Sequence, residues 1–398
     1  MKHILQLDNL TLNNQSELHI LAANDKQSDD SIDFLSRTRH ICFFATITVI
    51  VIGLLGNCVT IFVFSQKRFR INSSNIYLLC LAIIDSVFLI VHIFEDLIRE
   101  YEEIFQELNE FNDGMSQMMY ALNITDRFEL ACTLINFLRY FLRFVSAYII
   151  VAFTIQRLIL IFLPLNNKLK TKRSAWLVFW TVIMASFFLN IWTPFLFSVE
   201  KNEDKRCDVV KEKSNLYFLI TIVYTTLIML VPIVVVFVCN FLIIYRIKKA
   251  DTKRVELQIK KSITRSNRHD TSVIMKIKRQ SAHLKLKPYY LPSKQIINNV
   301  CSKNVEDSKK LTKTLILISF SYAILNLPYL VSWCFFFYQS ELNDADASKK
   351  NYLFSAVQIS KVLFILNYGL KFFIYCVTGR SFLNQLCYLS SAFFFLLV

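Results

Sequence analysis

Glycine is scarce: the 398-residue chain holds only five. A transporter built from paired repeats with broken, Gly/Pro-rich helices would need more, so that class is disfavoured. Catalytic signatures are missing as well. There is no Gly-x-Ser-x-Gly, no His-Glu-x-x-His and no phosphate-cradling loop, which leaves an intramembrane enzyme without a nucleophile elbow or a metal cluster. The ten cysteines never repeat a Cys-x-x-Cys spacing, so no metal framework is written in them. The opening stretch "MKHILQLDNLTLNNQ" lacks a continuous apolar core and a small-residue cleavage site, and so does not read as a signal peptide. The first apolar span is then expected to direct insertion itself.

What is abundant is apolar and aromatic surface. Hydrophobic residues make up 54% and aromatic residues 14%, outside the range of ordinary soluble domains. Runs long enough to cross about 30 Å of hydrocarbon, at about 1.5 Å per residue, occur seven times. They are placed near 41–66, 75–97, 130–163, 175–198, 215–245, 311–338 and 353–377. The expected fold is therefore an all-α membrane protein, a seven-transmembrane helix bundle with a short membrane-surface helix after the last span. Its divisions are a tail over 1–39, a bundle over 40–382 that includes a long basic loop at 246–310, and a short apolar segment at 383–398.

Basic residues set the orientation. "SQKRFR" after the first span and "NNKLKTKR" after the third are rich in Lys and Arg, and both are expected in the cytoplasm. Residues 246–313 agree, with 19 basic residues against 5 acids. On the other side the connection from Glu95 to Glu129 is dominated by acids, and the sequons at Asn9, Asn14 and Asn123 are candidate glycosylation sites. The net charge of +15 is mostly cytoplasmic and abuts spans, which favours anionic lipid and partner proteins over nucleic acid. "SSAFFFLLV" at the end is too short to span. It would lie along the membrane, with Cys387 as an acylation candidate, or mark an irregular terminus.

The third span carries the most pointed arithmetic. Cys132 precedes Arg157 by 25 residues, about 37 Å of helix, so the thiol is expected outside and the guanidinium inside. Cys207 also falls outside, where a disulfide to Cys132 is chemically permitted; two unpaired thiols are the alternative.

These features resemble the rhodopsin-like, or class A, G-protein-coupled receptors, over about Ser36 to Phe382. "LLGNCV" matches the first helix through Gly56 and Asn57, and "NIYLLCLAIID" the second through Asn75, Leu81, Ala82 and Asp85. Cys132 and Arg157 have the family's spacing. Trp180, Pro232 and Pro328 suit helices four, five and six, while Tyr375 and Phe382 suit the end of helix seven and beyond. The resemblance implies an extracellular ligand, a heterotrimeric G-protein partner, a plasma-membrane location with the N-terminus outside, and no cofactor. It also implies that Arg157 helps receive the G-protein when helix six swings outward.

Departures from the pattern are concentrated at the family's switches. The Asp-Arg-Tyr triplet becomes Gln156-Arg157-Leu158, so the arginine has no acid beside it. Asn326 stands where the sixth helix's tryptophan would be, and Asn-Pro-x-x-Tyr becomes Lys371 to Tyr375. Asp85 needs a partner inside the membrane. The family commonly supplies sodium there with helpers matching Ser146 and Asn367, but the Lys371 ammonium is placed to substitute for the ion. The expectation is an Asp85–Lys371 ion pair; the alternative is that Lys371 turns to the cytoplasmic interface.

Arg139 and Arg143, four residues apart, share one face of helix three. A carboxylate at the place of Arg139 would be needed to bind an amine. With Glu95, Asp96, Lys361 and Tyr329 they form the candidate ligand-binding set, a mixed-charge ring that seats a polar ligand, pairs internally, or does both. Lys361 is one turn from the retinal-lysine place of opsins, which is Ile365 here. The acidic outer surface suggests a basic, amidated peptide, in keeping with a resemblance to invertebrate FMRFamide-like neuropeptide receptors.

Overall fold

The computed structural model describes residues 2–67, 73–107, 122–163, 171–199, 206–250, 252, 256, 293–341, 347–378, 382–383 and 385–387. Side chains are described from residue 29, excepting 105–107, 211, 293–312, 340–341 and 347. Asn9, Asn14 and most of the final segment lie outside the described side chains.

Among the described residues six helices are long and apolar enough to cross a membrane: α1 (Asp29–Ser65), α2 (Ser73–Ile104), α3 (Glu129–Phe162), α4 (Lys172–Phe195), α5 (Ser214–Ala250) and α6 (Lys313–Gln339). The seventh crossing is broken. It comprises α7 (Ser348–Gly369) and α8 (Lys371–Thr378), bent by 50° at Leu370, where the sequence suggests one continuous span. At the break Phe373 N–H donates to the Leu370 carbonyl at 3.0 Å, a tightened turn that closes one helix and opens the next. Between α4 and α5 runs an antiparallel hairpin, β1 (Phe197–Val199) and β2 (Cys207–Val209), with Val199 opposite Cys207.

α1 begins earlier than the boundary at residues 39/40. Asn351 Nδ2 donates to Ser31 Oγ at 3.1 Å, and the Phe34 and Tyr352 rings lie 5.4 Å apart. Those contacts with α7 lie near the start of the 37-residue stretch from Asp29 to Ser65, which measures about 55 Å, well beyond the hydrocarbon. Lower down, the scarce glycines allow the two helices to touch. A Cβ on Gly53 would lie 3.0 Å from Gly369 Cα, and one on Gly56 would lie 2.8 Å from Phe372 Cβ. In lipid, where apolar association between helices has little driving force, such backbone approach supplies the packing.

α3 is the central post, and its Val145, Ile149 and Ile150 are buried in the same core as Phe88 and Leu89 of α2 and Ile365 of α7. α4 is peripheral, and Trp180 is 58% exposed on its outer surface. Two helices carry π turns, Ile93–Leu97 in α2 and Thr226–Leu230 in α5. The second is explained by Pro232, which has no N–H for the Ile228 carbonyl. Tyr322 Oη of α6 donates to that carbonyl at 3.0 Å, and Tyr148 Oη of α3 donates to the Leu227 carbonyl at 3.1 Å. Backbone oxygens freed inside the membrane are thus satisfied by phenols from two neighbours.

Candidate functional site

At one end of the bundle Cys132 of α3 is disulfide-bonded to Cys207 of β2, with Cα atoms 5.6 Å apart. This pins the hairpin over the helices. Asp126 reinforces the joint by accepting from Arg99 of α2 at 2.7 Å and 3.2 Å, and from the Cys207 backbone N–H at 2.8 Å. Asn123 caps the short helix Ile124–Arg127. It is buried, and its Nδ2 donates to Glu102 at 2.7 Å and Asp126 at 3.0 Å. A glycan would replace one of the two hydrogens on that nitrogen, so at most one of these bonds could coexist with it.

Beneath the hairpin the expected mixed-charge ring pairs internally. Arg139 donates to Glu95, and Lys361 holds both Asp96 and Glu100, the latter at 2.9 Å. The π turn of α2 brings this about. Its widened turn lies between His92 and Glu100 and keeps Glu95 on the buried side with them. His92 lies 3.7 Å from Glu95 and 3.5 Å from Asp96. His92 and Glu100 are absent from the ligand set read from sequence, although spacings of three and four residues from Glu95 and Asp96 place them on the same face. The rim acid Glu103 is shared by Arg39 and Arg206.

Arg143, one turn further in, lies 4.9 Å from the Phe364 ring centroid and 5.6 Å from that of Phe88. Tyr329 packs its ring 5.0 Å from Phe364. Tyr140 and Tyr217 join hydroxyls at 3.2 Å on the α5 side.

Midway along the bundle Asp85 is fully buried. Lys371 Nζ donates to its Oδ2 at 2.5 Å and Ser146 Oγ to its Oδ1 at 2.8 Å. The break at Leu370 places Lys371 at the start of α8, buried against this carboxylate rather than turned to an interface. With an ammonium already on Asp85, the residues present do not fit a sodium ion. Asn367 makes no hydrogen bond to Asp85, and its Nδ2 is buried without a partner. Asn57 donates instead to the Tyr368 carbonyl at 3.0 Å, and Asn326 to the Tyr322 carbonyl of its own helix at 2.6 Å.

At the opposite end Arg157 is buried, donates to Ser74 Oγ of α2, and lies 5.5 Å from the Phe153 ring centroid. Neighbouring Gln156 donates to Ser73 Oγ at 3.4 Å. One serine hydroxyl therefore holds the arginine that a carboxylate holds in the family's triplet, and the adjacent serine holds Gln156. Tyr375 is buried beside Phe64 and Phe382.

A polar column of this kind, with a disulfide at one end and an arginine at the other, agrees with a family model described as 7 transmembrane receptor (rhodopsin family), which matches residues 56–375. The chain belongs to the rhodopsin family of receptors. It is thus a multi-pass membrane receptor, not an enzyme, and the family implies a ligand and a heterotrimeric G-protein as partners. No curated protein matches the sequence. Against the family pattern, the receptor keeps the positions of Asp85, Arg157, Pro232 and Pro328 but rewires what surrounds them. Asp85 binds a lysine, Arg157 a serine, and Asn326 its own backbone.

Proposed function

We propose that the receptor binds a peptide at its disulfide end, outside the plasma membrane, and couples to a heterotrimeric G-protein through the Arg157 end, inside. The N-terminus is then extracellular, as the basic loops after the first and third spans require. Glu95, Asp96, Arg139, Arg143, Tyr329 and Lys361 serve as ligand contacts. Asn57, Asp85, Ser146, Arg157, Pro232, Asn326, Pro328, Asn367, Lys371 and Tyr375 carry the inactive-to-active change. The observation that carries this reading is the arginine at position 139, bonded to Glu95 where an amine ligand would need a free carboxylate. Charged groups spread over α2, α3 and α7 suit the many donors and acceptors of a peptide. The resemblance to FMRFamide-like neuropeptide receptors points the same way. Ligand binding shifts a population between two arrangements of the helices, and no covalent step is needed.

Cells expressing the full chain with a promiscuous G-protein, challenged with a library of neuropeptides, test this. Calcium release by a peptide, reduced by Arg139→Ala, is expected. Responses only to small amines contradict it. A second reading, a receptor-like protein that couples weakly, is favoured by the absence of an acid beside Arg157. It predicts peptide binding to membranes with no nucleotide exchange.

A further inference from the structure

The charges of the disulfide end are unevenly matched. Glu95 serves Arg139, Asp126 serves Arg99, and Lys361 alone holds two carboxylates, Asp96 and Glu100. Arg143 has the reverse situation: among the described residues no carboxylate lies within ion-pair distance, and its Nε is buried without a hydrogen-bond partner. Its visible neighbours are the rings of Phe88 and Phe364. Ring faces attract a cation by about 0.5–2 kcal/mol, but they give no oxygen to its five N–H donors.

Those rings are part of a box. Tyr368 stacks on Phe88 at 3.9 Å, Phe364 meets Phe88 edge-on at 6.2 Å, and Tyr329 lies 5.0 Å from Phe364. Phe88, Phe364 and Tyr368 are buried, while Arg143 beside them is only partly covered. A guanidinium in such a place is costly unless an anion meets it. Among the described residues the nearest carboxylate is Glu95, which acts on Arg143 only from beyond ion-pair distance and is already bonded to Arg139.

We propose that Arg143 receives a carboxylate of the ligand, an acidic side chain or an unamidated C-terminus, while an adjoining apolar side chain packs against the partly exposed ring of Tyr329. This rests on reading the disulfide end as the ligand site. It reverses the expectation of a basic, amidated peptide: the described acids of α2 and of the short helix beside it, Glu95, Asp96, Glu100, Glu102, Glu103 and Asp126, are already bonded or paired within the chain. A planar guanidinium also accepts a carboxylate through two parallel bonds, a geometry that an amide cannot reproduce.

The test uses the purified full-length receptor and two probes, N-acetyl-phenylalanine and its neutral amide, at matched millimolar concentration and ionic strength. The acid is expected to raise the thermal midpoint by about 2 °C more than the amide. That preference should vanish in Arg143→Gln and partly persist in Arg143→Lys. Equal shifts with acid and amide, no shift with either, or an undiminished preference in Arg143→Gln would overturn the proposal; the wild-type comparison decides even if a variant misfolds. G-protein nucleotide exchange, measured on the same preparation, separates the two readings. Exchange without acid preference removes the carboxylate site and leaves the receptor reading, whereas acid preference without exchange upholds the site and counts against coupling.

Discussion

At the disulfide end Arg99, Arg139 and Lys361 each meet a carboxylate from another helix, whereas at the opposite end, among the described residues, Arg157 meets the Ser74 hydroxyl and the Phe153 ring and no carboxylate. Midway, Lys371 and Asp85 follow the first pattern. The contrast bears on which parts hold still. Removing one member of a buried ion pair strands the other, so paired regions resist change. A cation held by a neutral hydroxyl is released at smaller cost, which suits a surface that must exchange one partner for another. The described residues therefore concentrate electrostatic commitment at the disulfide end and in the core, and leave the Arg157 end lightly fastened.

The sharpest way to break this contrast is at its most buried pair. Lys371→Met should cost about 3–5 kcal/mol of stability, and Asp85→Asn in the same chain should restore most of it, because the double variant leaves no orphan charge. Thermal unfolding of the purified receptor measures both, and simple additivity would show that the pair is not coupled. Arg139→Met, which strands Glu95 in a less buried setting, should cost about 2–3 kcal/mol by the same assay. An overpacking change away from any charge gives the reference: Gly53→Val forces a side chain against Gly369 and should cost about 1–3 kcal/mol. Smallest is the change at the lightly fastened end. Gln156→Asp gives Arg157 an acid and should lower basal nucleotide exchange about 5-fold, roughly 1 kcal/mol of inactive-state preference. Equal basal exchange would show that the hydroxyl already holds Arg157 as firmly as a carboxylate.

The crossings were legible because each is a long apolar run, and Lys371 could be read as a partner for Asp85 because an ammonium there has few other places to go. The charged face of α3 followed from the spacing of Arg139 and Arg143. Other features leave weaker traces. The break at Leu370 has no proline to announce it, and strands of three residues fall below any periodic signal. Ser73 and Ser74 carry no signature as arginine and glutamine partners. Asn123-Ile124-Thr125 satisfies both a sequon and a helix cap, and only burial separates the two. The early start of α1 was hidden by polar residues that face solvent beyond the hydrocarbon.

The core carries its own cation, the Lys371 ammonium on Asp85. Thermal stability of the purified receptor in sodium chloride against choline chloride, at equal ionic strength, addresses that directly. The wild type should show no selective effect of sodium, and Lys371→Asn should acquire one. Selective stabilisation of the wild type by sodium would contradict the Asp85–Lys371 assignment and the contrast built on it.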